Sequence, residues 1–428
     1  MLNLDSFVIK SDVISFSPCQ ETAYKTLNET DQNIFLTGCA GSGKSYLINR
    51  FLCHKDRKTF PVVASTGVAA ILVHGRTFHS FFGLGIMEGG IEATIKRALK
   101  SKPLLSRLRK ITGFVLDEVS MIPGPALSAA EKICGLARKK PHLPWGGVRV
   151  IAVGDFAQLP PVSKGSENKP WAFLDACWKK SQFKPIVLKT LMRFQDENYL
   201  HVLNAVRLGV VDDEVTEFLN QKTYEEDPQA LEDIPFFFPL RKQADSLNQK
   251  RLDEISSKLF EFDTEYTGES WAKKSLKNNM PIPETLRIKQ SALVMLRVND
   301  HGYKYVNGSL GHVIDIEEDT IHIELLKNSK IIEIEKTDFS LLSANGEPVA
   351  TATNFPITLA YAATIHKAQG MTVDRLAVDL RRLWEPGQAY VALSRVRSGD
   401  GLTLFGWDKQ SIKVDPNVIQ FHKELELQ

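Results

Sequence analysis

Four short apolar runs punctuate the first third of the chain: NIFLTG (33–38), FPVVAST (60–66), TGFVLDE (112–118) and VRVIAVGD (148–155). They are rich in β-branched residues and almost unbroken by polar ones. That is the pattern of strands covered on both faces of a parallel sheet. The segments between them space apolar residues as helices do, KSYLINRFL (44–52) most plainly. Strand–helix alternation predicts a doubly wound α/β sheet with ligands at the carboxyl ends of its strands. Residues 96–110, KRALKSKPLLSRLRK, thread leucines through a basic run. Such a segment is either an amphipathic helix with a solvated basic face or a surface that meets phosphates.

The period changes near residue 256. LFEFDTEY, SALVMLRVN, LGHVIDIEED, TIHIELL and KIIEIEKTDF are short strands split by turn residues such as Asn307-Gly308 and Asn328-Ser329. Alternation in KIIEIEK is strict, and the series predicts a small antiparallel barrel. The α/β character returns in ITLAYAATIHKAQG, RLAVDL and GLTLFGW. The expected division is a first lobe at 1–183 and a second lobe at 184–256 plus 352–428, interrupted by a barrel at 257–351.

Composition narrows the classes. The 428 residues are 43% hydrophobic and 24% charged, which is ordinary for a globular protein with a large core. A net charge of +2 means that any nucleic-acid surface is local. No apolar run is long enough for a bilayer, and MLNLDSFVIK lacks the basic front and apolar centre of a secretory leader. The five cysteines have neither paired nor zinc-type spacing, so a cytoplasmic protein with reduced thiols is expected.

The chemistry concentrates at the strand ends. GCAGSGKS follows a strand and opens a helix, the setting in which G-x-x-x-x-G-K-[ST] binds phosphate. The backbone of Gly38, Cys39, Ala40, Gly41, Ser42 and Gly43 would cradle the phosphates of ATP, Lys44 would neutralise them, and Ser45 would ligate Mg²⁺. Asp117 and Glu118 end a second strand; the first suits Mg²⁺ held through water, the second a general base. Gln158, in VGDFAQLPPV, is placed to hydrogen-bond the γ-phosphate or the attacking water, on a backbone stiffened by Pro160 and Pro161. The stretch 64–85 gathers hydroxyls, His79 and three phenylalanines, a composition suited to single-stranded nucleic acid; Phe81 and Phe82 suit a core better. Backbone and stacking contacts leave RNA as open as DNA. Arg193 and Arg395 are candidates to reach the cleft from the second lobe as arginine fingers.

In order, GCAGSGKS, ASTGVAA, GRTFHSFFG, LDEVSMI, WGGVRVIAVGDFAQLPPV, VNGSLGHV, FPITLAYAATIHKAQGMTVD and YVALSRVRS resemble the motifs of the Pif (petite integration frequency) family of DNA helicases, within superfamily 1B. The resemblance runs from about residue 16 to 400. It implies two RecA-like P-loop NTPase domains, parallel sheets with helices on both faces, that clamp ATP while single-stranded DNA crosses both. It implies a small wedge insertion at about 82–110 and an inserted Src-homology-3-like β-barrel. It also implies 5′→3′ movement and unwinding at single/double-strand junctions and of G-quadruplex DNA; a monomer is expected, with an oligomer on DNA left open. By position, Gln20 would contact adenine and Arg193 and Arg395 would be the two fingers. Thr66, Phe78 and His79 would line the DNA path on one lobe. His366, Lys367 and Gln369 would line it on the other, with Gly370 also beside the γ-phosphate. Where the family often has Arg-Gln, this chain has Arg193-Phe194, so that glutamine contact falls to Gln195 or is lost.

Overall fold

The computed structural model describes residues 16–426 except 73–74, 86, 88, 163–167, 191–195, 225–230, 232, 301–303 and 343–347. Its first sheet has six parallel strands: β1 (Ile34–Gly38), β2 (Val62–Ala64), β3 (Arg76–Thr77), β4 (Gly113–Asp117), β5 (Arg149–Val153) and β6 (Lys184–Leu188), in the order β3-β2-β4-β5-β1-β6. Every residue of β1 and β5 is buried, which explains their unbroken apolar runs. At β6 the structure differs from the expected division, because Ile34 pairs with Lys184 and Gly38 with Leu188. A boundary at 183/184 would cut the first sheet. Pro185 is tolerated because β6 is an edge strand.

The basic run forms two short helices, Gly90–Ala98 and Lys102–Lys110. Leu104 and Leu108 are buried, and Arg97, Arg107 and Arg109 donate to the carbonyls of Leu84, Phe81 and Ala137. Lys96, Lys100, Lys102 and Lys110 are exposed. The arginines therefore hold local structure while the lysines are solvated.

The second lobe carries a parallel sheet ordered Ala362–Thr364, Phe236–Phe238, Leu376–Asp379, Leu402–Gly406. Between its first and later strands lies an antiparallel insertion. Its described strands fall into three sheets. Five strands, from Ile331–Glu335 through Leu293–Leu296 to Ile357–Leu359, surround a core of Val294, Val313, Ile321, Ile323 and Ile334. The two-stranded sheet contributes Leu286 and Ile288 to the same core. The third sheet builds a separate small core with the unanticipated helix Ser270–Asn279, through Ala272, Leu276, Phe339, Ala350 and Ala352. Ile357–Leu359, read as part of the second lobe, pairs with Leu293–Leu296 in the insertion.

The lobes share one large core in which Phe156 and Trp171 of the first lobe join Tyr390 and Leu393 of the second. The last helix, Pro416–Glu426, sends Phe421 back to stack on Phe173 at 4.4 Å. Among the described residues no helix is long and apolar enough to cross a membrane.

Candidate nucleotide site in the interlobe cleft

The phosphate loop leaves β1 and turns into the helix Lys44–Leu52 at Gly43, whose φ of 84° favours glycine. Lys44 Nζ folds across its own loop and donates to Gly38 O at 2.8 Å and Cys39 O at 3.0 Å. Burial pushes this ammonium pKa down, against the pull of Asp155 and Glu118. Ser45 is exposed in the first turn of the helix, while Ser42 Oγ is buried without a partner. Gln20 lies beneath the loop, 1% exposed, donating to Ser42 O at 3.0 Å and accepting from Ser17 N at 3.1 Å. Here it braces the loop, with both ends of its amide engaged.

Asp117 closes β4, and burial together with the adjacent Glu118 pushes its carboxyl up to about 7. Two neighbouring carboxylates at a strand tip, one held partly protonated, form a donor set that a divalent cation relieves. Glu118 has a left-handed backbone, φ 53° and ψ 50°, a strained conformation for a non-glycine residue. Its Oε2 accepts from Gln369 Nε2 at 3.0 Å, and the same nitrogen stands 3.3 Å from Gln158 Oε1. Gln369 belongs to the second lobe, so the cleft closes directly over the carboxylate.

Beside this contact lies an interlobe network. Asp155, the acid of VGDFAQ, is fully buried, and burial alone would raise its pKa. Arg207 overrides that with a two-pronged ion pair, Nε–Oδ2 and Nη2–Oδ1 both 3.0 Å, holding Asp155 down to about 2. Tyr390 donates its hydroxyl to Asp155 Oδ2 at 3.2 Å and accepts from the loop amide of Ala40 at 2.8 Å. His422 Nε2 stands 3.6 Å from Asp155 Oδ1, its pKa pushed down to about 4 by burial and Arg207. Gly387, at φ 78°, brings the helix bearing Tyr390 so near that a Cβ there would meet Gln158 O at 2.4 Å.

Arg395 is 2% exposed, and burial pushes its pKa down while Glu118 across the cleft raises it. Its guanidinium is held within its own lobe, donating to Val391 O (2.8 Å), Ser394 Oγ (2.8 Å), Met371 O (3.3 Å) and Ala368 O (3.4 Å).

Residues 16–217 match the family model described as PIF1-like helicase. The chain is 48% identical over 415 residues to "ATP-dependent DNA helicase Pif1" of Bdellovibrio bacteriovorus, covering 96% of this chain and 93% of that protein. It belongs to the PIF1-like helicase family. It spans 62% of the length of several longer curated relatives. A Bacteroides Pif1 in complex with ADP-AlF4 superposes with a TM-score of 0.85 at 27% identity, covering 97% of this chain and 98% of that one. The Bacteroides helicase with ADP-AlF3 and single-stranded DNA, at the same identity and coverage, gives 0.67.

Within this PIF1-like chain the expected DNA residues separate. His366 and Lys367 are exposed on the short helix Ile365–Ala368, which Thr364 caps. Thr66 accepts from Ala69 N at 3.2 Å and is half-buried, as is His79, whose pKa burial pushes down. Phe78 is a correction: it is 0% exposed, in the core with Phe81 and Phe82, and no face is left for a base. Gln369 lies against Glu118, a place not expected from its motif. Gly370, at φ 78°, has open space around it. Arg193 and Gln195 lie outside the described residues. Reading the sequence missed Arg207, Tyr390 and His422 altogether. An acid ending the apolar run VRVIAVGD was the available signal, since a buried carboxylate needs a cation.

Proposed function

We propose that this chain is an ATP-dependent DNA helicase that hydrolyses ATP between its lobes while moving 5′→3′ along single-stranded DNA. One observation carries the reading: Gln369 of the second lobe meets Glu118 and Gln158 of the first at hydrogen-bond distance. The nucleotide residues of one lobe therefore face the DNA motif of the other.

Lys44 and the loop amides bind the β- and γ-phosphates. Ser45 and Asp117 would hold a magnesium ion, which would supply charge neutralisation on those phosphates. Glu118 takes the proton from the attacking water, Gln158 orients that water, and Gly370 approaches the γ-phosphate. Arg395 turns from its own lobe to the developing charge when the cleft closes, and Arg193 is a second candidate for that task. Gln20 sets the edge of the adenine site through its brace on Ser42. Loss of the γ-phosphate removes what the lobes share, so they part. DNA phosphates run over Thr66 and His79, then His366 and Lys367, which ratchets the chain forward. Opening a base pair costs on the order of 1.4 kcal/mol of stacking, a modest load per cycle. Single/double-strand junctions and G-quadruplexes are the structures to be opened, a monomer is the working unit, and the cytoplasm is its place.

The test is strand separation on duplexes bearing a 5′ or a 3′ single-stranded tail, with and without ATP. ATP-dependent opening of the 5′-tailed duplex alone is expected. Opening of the 3′-tailed duplex alone would reverse the polarity, and none on either would remove the helicase reading.

A further inference from the structure

Glu118 is engaged by the second lobe. Gln369 Nε2 lies 3.0 Å from Glu118 Oε2 and 3.3 Å from Gln158 Oε1, so one amide nitrogen serves two groups that hydrolysis needs. These are the distances of a bridging water. The nitrogen therefore stands where a water held between the proposed base and the proposed orienting glutamine would stand. At the other end of the same amide, Oε1 is buried with no partner. Saturated donors beside an orphaned acceptor mark a restrained arrangement, one that a competing ligand can draw apart.

The device that could draw it apart is next in the chain. Gln369 directly follows the helix Ile365–Ala368, with His366 and Lys367 exposed on it. Lys367 has cationic neighbours in Arg241 and Arg297. Arg297 is buried; among the described residues its Nε has no partner, and its Nη1 meets the sulfurs of Met371 at 3.1 Å and Met295 at 3.5 Å. Asp245, which pairs with Arg241, is the acid that acts on Lys367. Cations gathered with so little counter-charge attract a polyanion. On the far side, Gly370 has room to change conformation.

We infer that Gln369 is a DNA-responsive restraint on hydrolysis: with no strand bound it occupies Glu118 and Gln158, and a phosphodiester seated on His366 and Lys367 withdraws it. The inference rests on the proposed placement of DNA and of the base. Without DNA the cleft is held in a state that excludes the attacking water; with DNA, Glu118 and Gln158 are released to receive it. This gives the coupling between track and fuel a specific bond to break.

The experiment measures ATP turnover with and without an oligodeoxythymidine for the wild type, Gln369→Ala and Gln369→Glu, and measures oligonucleotide binding by anisotropy for these and Lys367→Ala. Both Gln369 variants should raise DNA-free turnover about tenfold and shrink the stimulation by DNA in proportion. The glutamate variant should do so by repelling Glu118. DNA-free turnover at or below the wild-type level in both, with oligonucleotide still bound, would overturn the restraint and make Gln369 a supporting group instead. Wild-type affinity in Lys367→Ala would overturn the DNA placement beneath it. Weakened binding there, with raised turnover in the Gln369 variants, supports both.

Discussion

The two faces of the cleft are built differently. On the first lobe the phosphate site is made of backbone: a loop, a helix start, and Lys44 held at 2.8 and 3.0 Å to loop carbonyls. On the second it is made of long side chains committed elsewhere, with Arg395 donating to four groups of its own lobe and Gln369 set against Glu118. A backbone site is formed whether or not a ligand is there. A side-chain site must be recruited, and each bond it gives up is a point of control. On the proposed mechanism, the first face governs binding and the second governs when binding leads to hydrolysis.

Paired substitutions break or sharpen this contrast. Lys44→Ala and Arg395→Ala should each lower turnover by roughly 10³-fold. They should differ in nucleotide binding followed by titration with a fluorescent ATP analogue. Lys44→Ala loses affinity, whereas Arg395→Ala holds it within about twofold, because its guanidinium is committed to Val391, Ser394, Met371 and Ala368 of its own lobe. Equal losses of affinity would erase the distinction between the faces.

Tyr390→Phe tests the strut between them. It removes only the hydroxyl joining Ala40 N to Asp155. About tenfold higher KM for ATP is expected, in keeping with one buried hydrogen bond of roughly 1–1.5 kcal/mol, with a smaller change in kcat. An unchanged KM would make the hydroxyl incidental to the loop.

The same network sets an acid limit. Asp155 is held down to about 2 against an ordinary 3.8, so its contribution to stability is complete above pH 3.8 and is lost as pH falls towards 2. His422, held at about 4 against 6.5, is buried neutral, and its share is lost earlier, as pH falls from 6.5 towards 4. Unfolding followed against pH should lose stability in both windows, and His422→Gln should flatten the upper one most, with a smaller change in the lower one because His422 also helps hold Asp155 down. The smallest effect is expected at Phe78→Leu. Replacing a buried ring by the smaller leucine costs on the order of 1–2 kcal/mol of stability and leaves oligonucleotide affinity unchanged. A clear loss of affinity would return Phe78 to the DNA path.

The contrast also explains what could be read from the sequence. GCAGSGKS and Asp117-Glu118 could be placed in the fold because each lies at the end of a strand whose apolar run announces it, and Gln158 lies in the loop that follows β5. The second face was legible only as a set of motifs. Arg395 was placed in the right lobe, but whether it points into the cleft depends on packing among Val391, Ser394 and Met371. Gln369 and Glu118 are 251 residues apart, and no local pattern encodes their meeting. Phe78 was misread because a run of aromatics after a strand has the same composition in a core as on a stacking platform. The helix Ser270–Asn279 escaped notice because few apolar positions, Ala272 and Leu276 among them, mark its buried side. KPIVL was assigned to the wrong lobe because strand pairing is not local: Lys184 finds Ile34 across the whole first lobe.

The most direct test of a preformed first face and a recruited second is ATP turnover by the unaltered chain as single-stranded oligonucleotide is added. Turnover should start low, rise by roughly tenfold or more and saturate as the strand fills its track. A rate that is the same at every concentration of DNA would contradict the account, because a second face that is always engaged has nothing left to recruit.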